Sequence, residues 1–171
     1  MRKPQDLSAG EYRSHLKVKI EDDDAEGTTE RAVAPAKEAA IMVKAKLAFT
    51  IPVIVRTGET NIAVKMEDLK LTRNEQGRPV LELVLLRSGN RSVMGDFTIS
   101  HSSAGEKPVV IKTFPGVPVY RNTDRRQVSI VLDELPAGTD LSSGKLSLVY
   151  TAQKKEGGMK LAESDLTLSG N

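Results

Sequence analysis

Between Ile41 and Arg56 the chain reads IMVKAKLAFTIPVIVR, with Ile41, Val43, Ala45, Leu47, Phe49, Ile51, Val53 and Val55 at every second position. A spacing of two is the side-chain period of a strand, and the run is far longer than the usual ~5–6 strand residues. The alternation therefore predicts one long strand, apolar on one side. Helix-spaced apolar positions are scarce, and β-branched residues sit between Gly, Pro, Asn and Asp. The expected fold class is all-β.

The same pattern predicts an earlier strand at Glu11 to Ile20, where Tyr12, Leu16, Val18 and Ile20 alternate with Arg13, His15, Lys17 and Lys19. Between the two, Glu21 to Ala40 is acidic first and Ala-rich later, and reads as a long loop. Beyond the TGET turn after Arg56, strands are expected at Asn61 to Leu71, Pro79 to Arg87, Ser92 to Ser100, Val109 to Thr113 continued at Val117 to Tyr120, Gln127 to Asp133, Lys145 to Ala152 and Lys160 to Leu168. Turn chemistry separates them, as at Asn74 to Gly77, Ser88 to Asn90, Arg121 to Asp124 and Glu156 to Gly158. Short strands at this spacing predict a complete immunoglobulin-like β-sandwich over 57–171.

An internal echo bears on the front end. Asp6-Leu7-Ser8-Ala9-Gly10-Glu11-Tyr12 and Asp140-Leu141-Ser142-Ser143-Gly144-Lys145-Leu146 share the frame D-L-S-x-G-x-apolar, each opening an alternating strand. In a sandwich this frame suits the corner into the sixth strand, where Gly permits the bend. Read as a repeat, it makes Tyr12 to Ile20 strand F and Ile41 to Arg56 strand G of a first immunoglobulin-like domain, 1–56, whose strands A to E are missing. A lone hairpin cannot bury its apolar face, so the chain is expected to be a truncated one.

The composition is 39% hydrophobic and 28% charged, with a formal net charge of +2. Such a balance gives no reason to expect nucleic acid or a membrane surface as partner. No run approaches the roughly 18 apolar residues of a membrane span. Met1 is followed by RKPQDLSAG, which has neither the apolar core nor the cleavage site of a signal peptide. Cysteine is absent, which excludes disulfides and thiolate metal ligands.

Candidate chemistry is sparse. The acids Glu21 to Asp24 are of the type that bind Ca²⁺, but their spacing fits no calcium loop and they read as a solvated loop. His15 lies on the polar face of its strand, and His101 reads as part of a polar HSS turn. Arg121, Arg125 and Arg126 form a small basic cluster at the polar end of the sandwich, and Ser88, Asn90 and Arg91 read as hairpin-loop residues. Neither a metal site nor a nucleophilic triad can be assembled, so no cofactor, metal or catalytic residue is expected and the protein reads as a non-enzyme.

GEYRSHL at Gly10 to Leu16, IPVIVR at Ile51 to Arg56 and RSGNRSVMGDFTI at Arg87 to Ile99, in that order, resemble the PapD-like periplasmic pilus chaperones, in particular the branch called fimbrial biogenesis chaperones. The resemblance covers nearly all of the chain. It implies a periplasmic chaperone that lends strand G of its first domain to pilus subunits lacking their last strand, then passes them to an outer-membrane usher. The donated side chains would be Val43, Ala45 and Leu47, with Phe49 as a fourth. The family's late-strand carboxylate-anchoring Lys is replaced here by Pro52, which cannot hold a carboxylate. Lys44 and Lys46 stand nearby as minor contacts or as charges that keep an edge strand soluble. The alternative is a standalone immunoglobulin-like structural or adhesion module that self-associates through its N-terminal hairpin.

Overall fold

Alternation along the sequence becomes pairing in space. The computed structural model describes residues 6–19, 47–103 and 106–169. Its strands are β1 (Gly10–Lys19), β2 (Ala48–Thr57), β3 (Ile62–Arg73), β4 (Pro79–Gly89), β5 (Val93–Ser102), β6 (Val109–Val119), β7 (Arg125–Val131), β8 (Gly144–Ala152) and β9 (Lys160–Leu168). A single 3₁₀ turn, Lys154–Glu156, is the helical element among the described residues. The protein is all-β. It divides into two compact units, Met1–Glu11 with Arg56–Asn171, and Tyr12–Val55.

In the larger unit the strands form two open antiparallel sheets, ordered β3-β4-β7 and β6-β5-β8-β9. Every second residue of β8 (Leu146, Leu148, Tyr150, Ala152) and of β5 (Val93, Phe97, Ile99) is buried. These join Leu81, Leu83 and Leu85 of β4 and Val128 and Ile130 of β7 in one apolar cluster, as expected of a β-sandwich-like arrangement. At its centre the Phe97 and Tyr150 rings lie 4.8 Å apart. Gly95 makes room for them, because a Cβ there would sit 2.6 Å from Tyr150 ring atoms.

Tyr150 donates its hydroxyl to the Val117 carbonyl at 2.7 Å, tying the two strands that flank β5. Removing that hydroxyl strands a buried acceptor. Tyr150→Phe is expected to lower the unfolding free energy by about 1 kcal/mol, seen as a lower urea midpoint at unchanged slope.

Turn chemistry falls where expected. Asn74 Oδ1 accepts from the amides of Gln76 (3.0 Å) and Arg78 (2.9 Å), and its carbonyl accepts from Gly77, closing the β3–β4 hairpin. One expectation is sharpened and one corrected. The strand expected at Val109 to Thr113 and continued at Val117 to Tyr120 is β6, unbroken through Phe114, Pro115 and Gly116, with a register shift against β5 falling there. As an edge strand β6 tolerates prolines that lack an N–H, and Gly116, at φ +74°, bonds its amide to Asp96 Oδ1 at 2.8 Å. His101 is not in a turn. It is buried in β5, with Nε2 2.9 Å from the Ser143 carbonyl.

Candidate functional site

β1 and β2 form a two-stranded sheet. Both members are edge strands, and each has a row of backbone groups unpaired within that sheet. Leu47 is 61% exposed and Phe49 57%. Ile51, Ile54 and Val55 of β2 and Leu16 and Val18 of β1 are exposed as well. By parity Ile54 lies opposite the face that carries Phe49 and Ile51, so the end of β2 is apolar on both faces rather than one. Pro52 lies within β2. Of the donor residues read from the sequence, Leu47 and Phe49 stand exposed together, while Val43, Lys44, Ala45 and Lys46 lie outside the described residues.

Glu11 of β1 and Arg56 of β2, which belong to the larger unit, are ionic rather than apolar. Glu11 is buried, and its carboxylate accepts from the Ser92 amide at 3.1 Å, from the Ser92 hydroxyl, and from Arg56 Nε at 3.0 Å. Arg56 Nη2 also donates to the Ser92 carbonyl at 3.2 Å and to Glu156 Oε1 at 3.2 Å. Arg91 Nη1 donates to the other oxygen of Glu156 at 3.0 Å. The Glu11 main chain is held too, its amide donating to Asn90 O at 3.0 Å and its carbonyl accepting from Arg121 Nη1.

Burial alone would raise the pKa of Glu11, yet the bonds from Ser92 and Arg56 outweigh it and hold the carboxyl below its ordinary value. The same balance runs the other way on Arg56, where desolvation is outweighed by Glu11 and Glu156 and the pKa is raised. Both groups remain charged. Each supports the charge of the other.

The echo in the sequence has a structural counterpart. Gly10 and Gly144, at φ +149° and +99°, are the first residues of β1 and β8. After Gly144 the frame ends on Leu146, which is fully buried, whereas Tyr12 is half-buried. The Asp140 carboxylate accepts from the Ser142 amide and hydroxyl, both at 2.8 Å, closing the turn ahead of β8.

The remaining candidates are accounted for by ordinary contacts. Arg125 pairs with Asp68 at 3.0 Å, Arg126 donates to the Pro118 carbonyl, and His15 is exposed on β1. Among the described residues no group of three or more His, Cys, Asp or Glu side chains could hold a metal ion. The acidic run Glu21 to Asp24 lies outside the described residues. No protein-family model matches the chain, and neither does a curated protein or a solved structure.

Proposed function

We propose that the protein is a non-enzymatic chaperone of the PapD-like kind. It caps pilus or fimbrial subunits in the periplasm by lending them the strand that ends in β2, and passes them to an outer-membrane usher. The observation that carries this reading is the exposure of Leu47, just ahead of β2, and of Phe49 and Ile51 at alternate positions within it, on a strand with an open edge in its sheet. A subunit that lacks its last strand offers the complementary groove: main-chain bonds extend its sheet, and alternate side chains fill its core.

Strand order supports an immunoglobulin-like identity for 57–171. Lettered along the chain, its seven strands form sheets A-B-E and D-C-F-G, a Greek-key sandwich whose fourth strand pairs with the third. The matching places of Gly10 and Gly144 support assigning β1 as strand F and β2 as strand G of a first domain.

The reading is tested by mixing the full chain with a pilus-type subunit lacking its last strand. A one-to-one complex is expected by size exclusion, with the amides of Ala48–Thr57 gaining protection from hydrogen exchange. The same open edge also suits self-association. A chain that dimerises through β2 and ignores the subunit would replace the chaperone reading with the self-pairing module.

A further inference from the structure

Among the described residues, Arg87, near the end of β4, is the most enclosed cation of the larger unit's ion pairs, with its side chain 5% exposed. Nη1 donates to the Gly89 carbonyl at 2.8 Å and, more loosely, to that of Arg91 at 3.5 Å. Nη2 donates to the Arg121 carbonyl at 2.8 Å and to Asp124 Oδ1 at 2.7 Å. One guanidinium thus joins the β4–β5 connection to the β6–β7 connection. Its Nε is buried and has no partner. The Arg87 amide adds a bond to the Asp124 carbonyl at 2.8 Å.

Enclosing a charge costs several kcal/mol, and its counterion Asp124 is 82% exposed, so water screens the pair. Local turn formation does not account for the arrangement, because the β6–β7 turn has its own closing bond, from the Thr123 amide to the Tyr120 carbonyl at 3.0 Å. What the two connections share is their other cargo. From the first, Asn90 O takes the Glu11 amide and Ser92 takes the Glu11 carboxylate. From the second, Arg121 takes the Glu11 carbonyl.

We propose that Arg87, with Asp124, is a positioning clamp. It holds two separate loops in the one arrangement in which they grip Glu11, and through Glu11 and Arg56 it fixes the roots of β1 and β2. Arginine suits this task because its rigid fork reaches carbonyls on both sides at once, which a lysine point charge cannot do. The assignment is the same whether the hairpin captures a subunit or a second copy of the chain.

The test is residue-resolved hydrogen exchange on the full chain, following three amides: Glu11 and Ser92 at the clamped end, and Leu132, bonded to the Pro79 carbonyl at 2.8 Å by the opposite end of β4. In Arg87→Met, exchange at Glu11 and Ser92 should rise by about tenfold or more over any rise at Leu132, since a clamp opens locally. Asp124→Asn, a change at an exposed site that should not threaten folding, should give a smaller rise at the same two amides. Arg87→Lys should restore part of the protection. Equal acceleration at all three amides would make Arg87 a general stabiliser and overturn the proposal, as would unchanged Glu11 and Ser92 in Asp124→Asn. Should Arg87→Met fail to fold, the Asp124→Asn and Arg87→Lys results decide.

Discussion

Replacing Leu47 by glutamate should weaken capture of a strand-deficient subunit by at least about a hundredfold, since it forfeits roughly 1.5–3 kcal/mol of apolar burial and carries a charge into the subunit's core. Leu47 is exposed and contributes nothing to the apolar cluster of 57–171, so the thermal midpoint of that domain should stay where it is. Phe49→Glu should behave alike. Thr50 is the control: it is also exposed, but by parity it points to the other face of β2. Thr50→Glu should therefore weaken binding far less. Equal damage from Thr50→Glu and Leu47→Glu would mean that added charge, not the loss of plugging side chains, is being measured. Undiminished capture by Leu47→Glu would remove Leu47 from the donor set.

The strands were readable because each rests on a local rule. Alternation names the buried face, and Gly, Asn, Asp and Pro name the turns, so Pro79 opens β4 and Lys160–Leu168 is β9 as the pattern predicts. The gap left within β6 at Phe114 to Gly116 has the same origin. Pro115 and Gly116 are turn residues by composition, but whether a proline breaks a strand depends on which neighbours the strand has. Only the sheet order shows that β6 is an edge. His101 was misplaced because its neighbours Ser100, Ser102 and Ser103 are polar. Its parity with Val93, Phe97 and Ile99 was the better guide, and that parity is what buries it.

The apolar half of the candidate site was legible for the same reason, since alternation at Leu47, Phe49 and Ile51 is local. The ionic half was not. Arg56 meets partners 45, 36 and 100 residues away in Glu11, Ser92 and Glu156, and no spacing rule reaches so far. Glu11 stands at an odd position of β1, in step with Arg13, His15 and Lys17, and so reads as solvated. It is buried because the Gly89–Ser92 connection folds over the start of the strand, with Asn90 bonding its amide and Ser92 its carboxylate. The one local hint was that GEY and VIVR place opposite charges at the inner ends of two strands expected to pair.

Glu11 is also where a single polar substitution should cost the larger unit heavily. Glu11→Ala leaves the Ser92 amide and hydroxyl without their acceptor and Arg56 without its nearest anion. Breaking a fully buried pair costs about 3–5 kcal/mol, but the Arg56 side chain is 35% exposed and keeps Glu156. A loss of about 2–4 kcal/mol is therefore expected, measured as a lower urea midpoint at unchanged slope.

The pH dependence identifies the source of that loss. The folded-state pKa of Glu11 is depressed, so its contribution is fully present above the unfolded-state value near 4.5 and is lost as pH falls through the folded value. Asp133, Asp140 and Asp165 are depressed as well and will keep some acid sensitivity in any variant. The gap in stability between wild type and Glu11→Ala should thus be constant from neutral pH down to about 5 and narrow below it. A gap that persists unchanged into acid would show that packing rather than the carboxylate is being lost. One that vanishes near neutrality would require a raised pKa for Glu11 and contradict the geometry of its three donors.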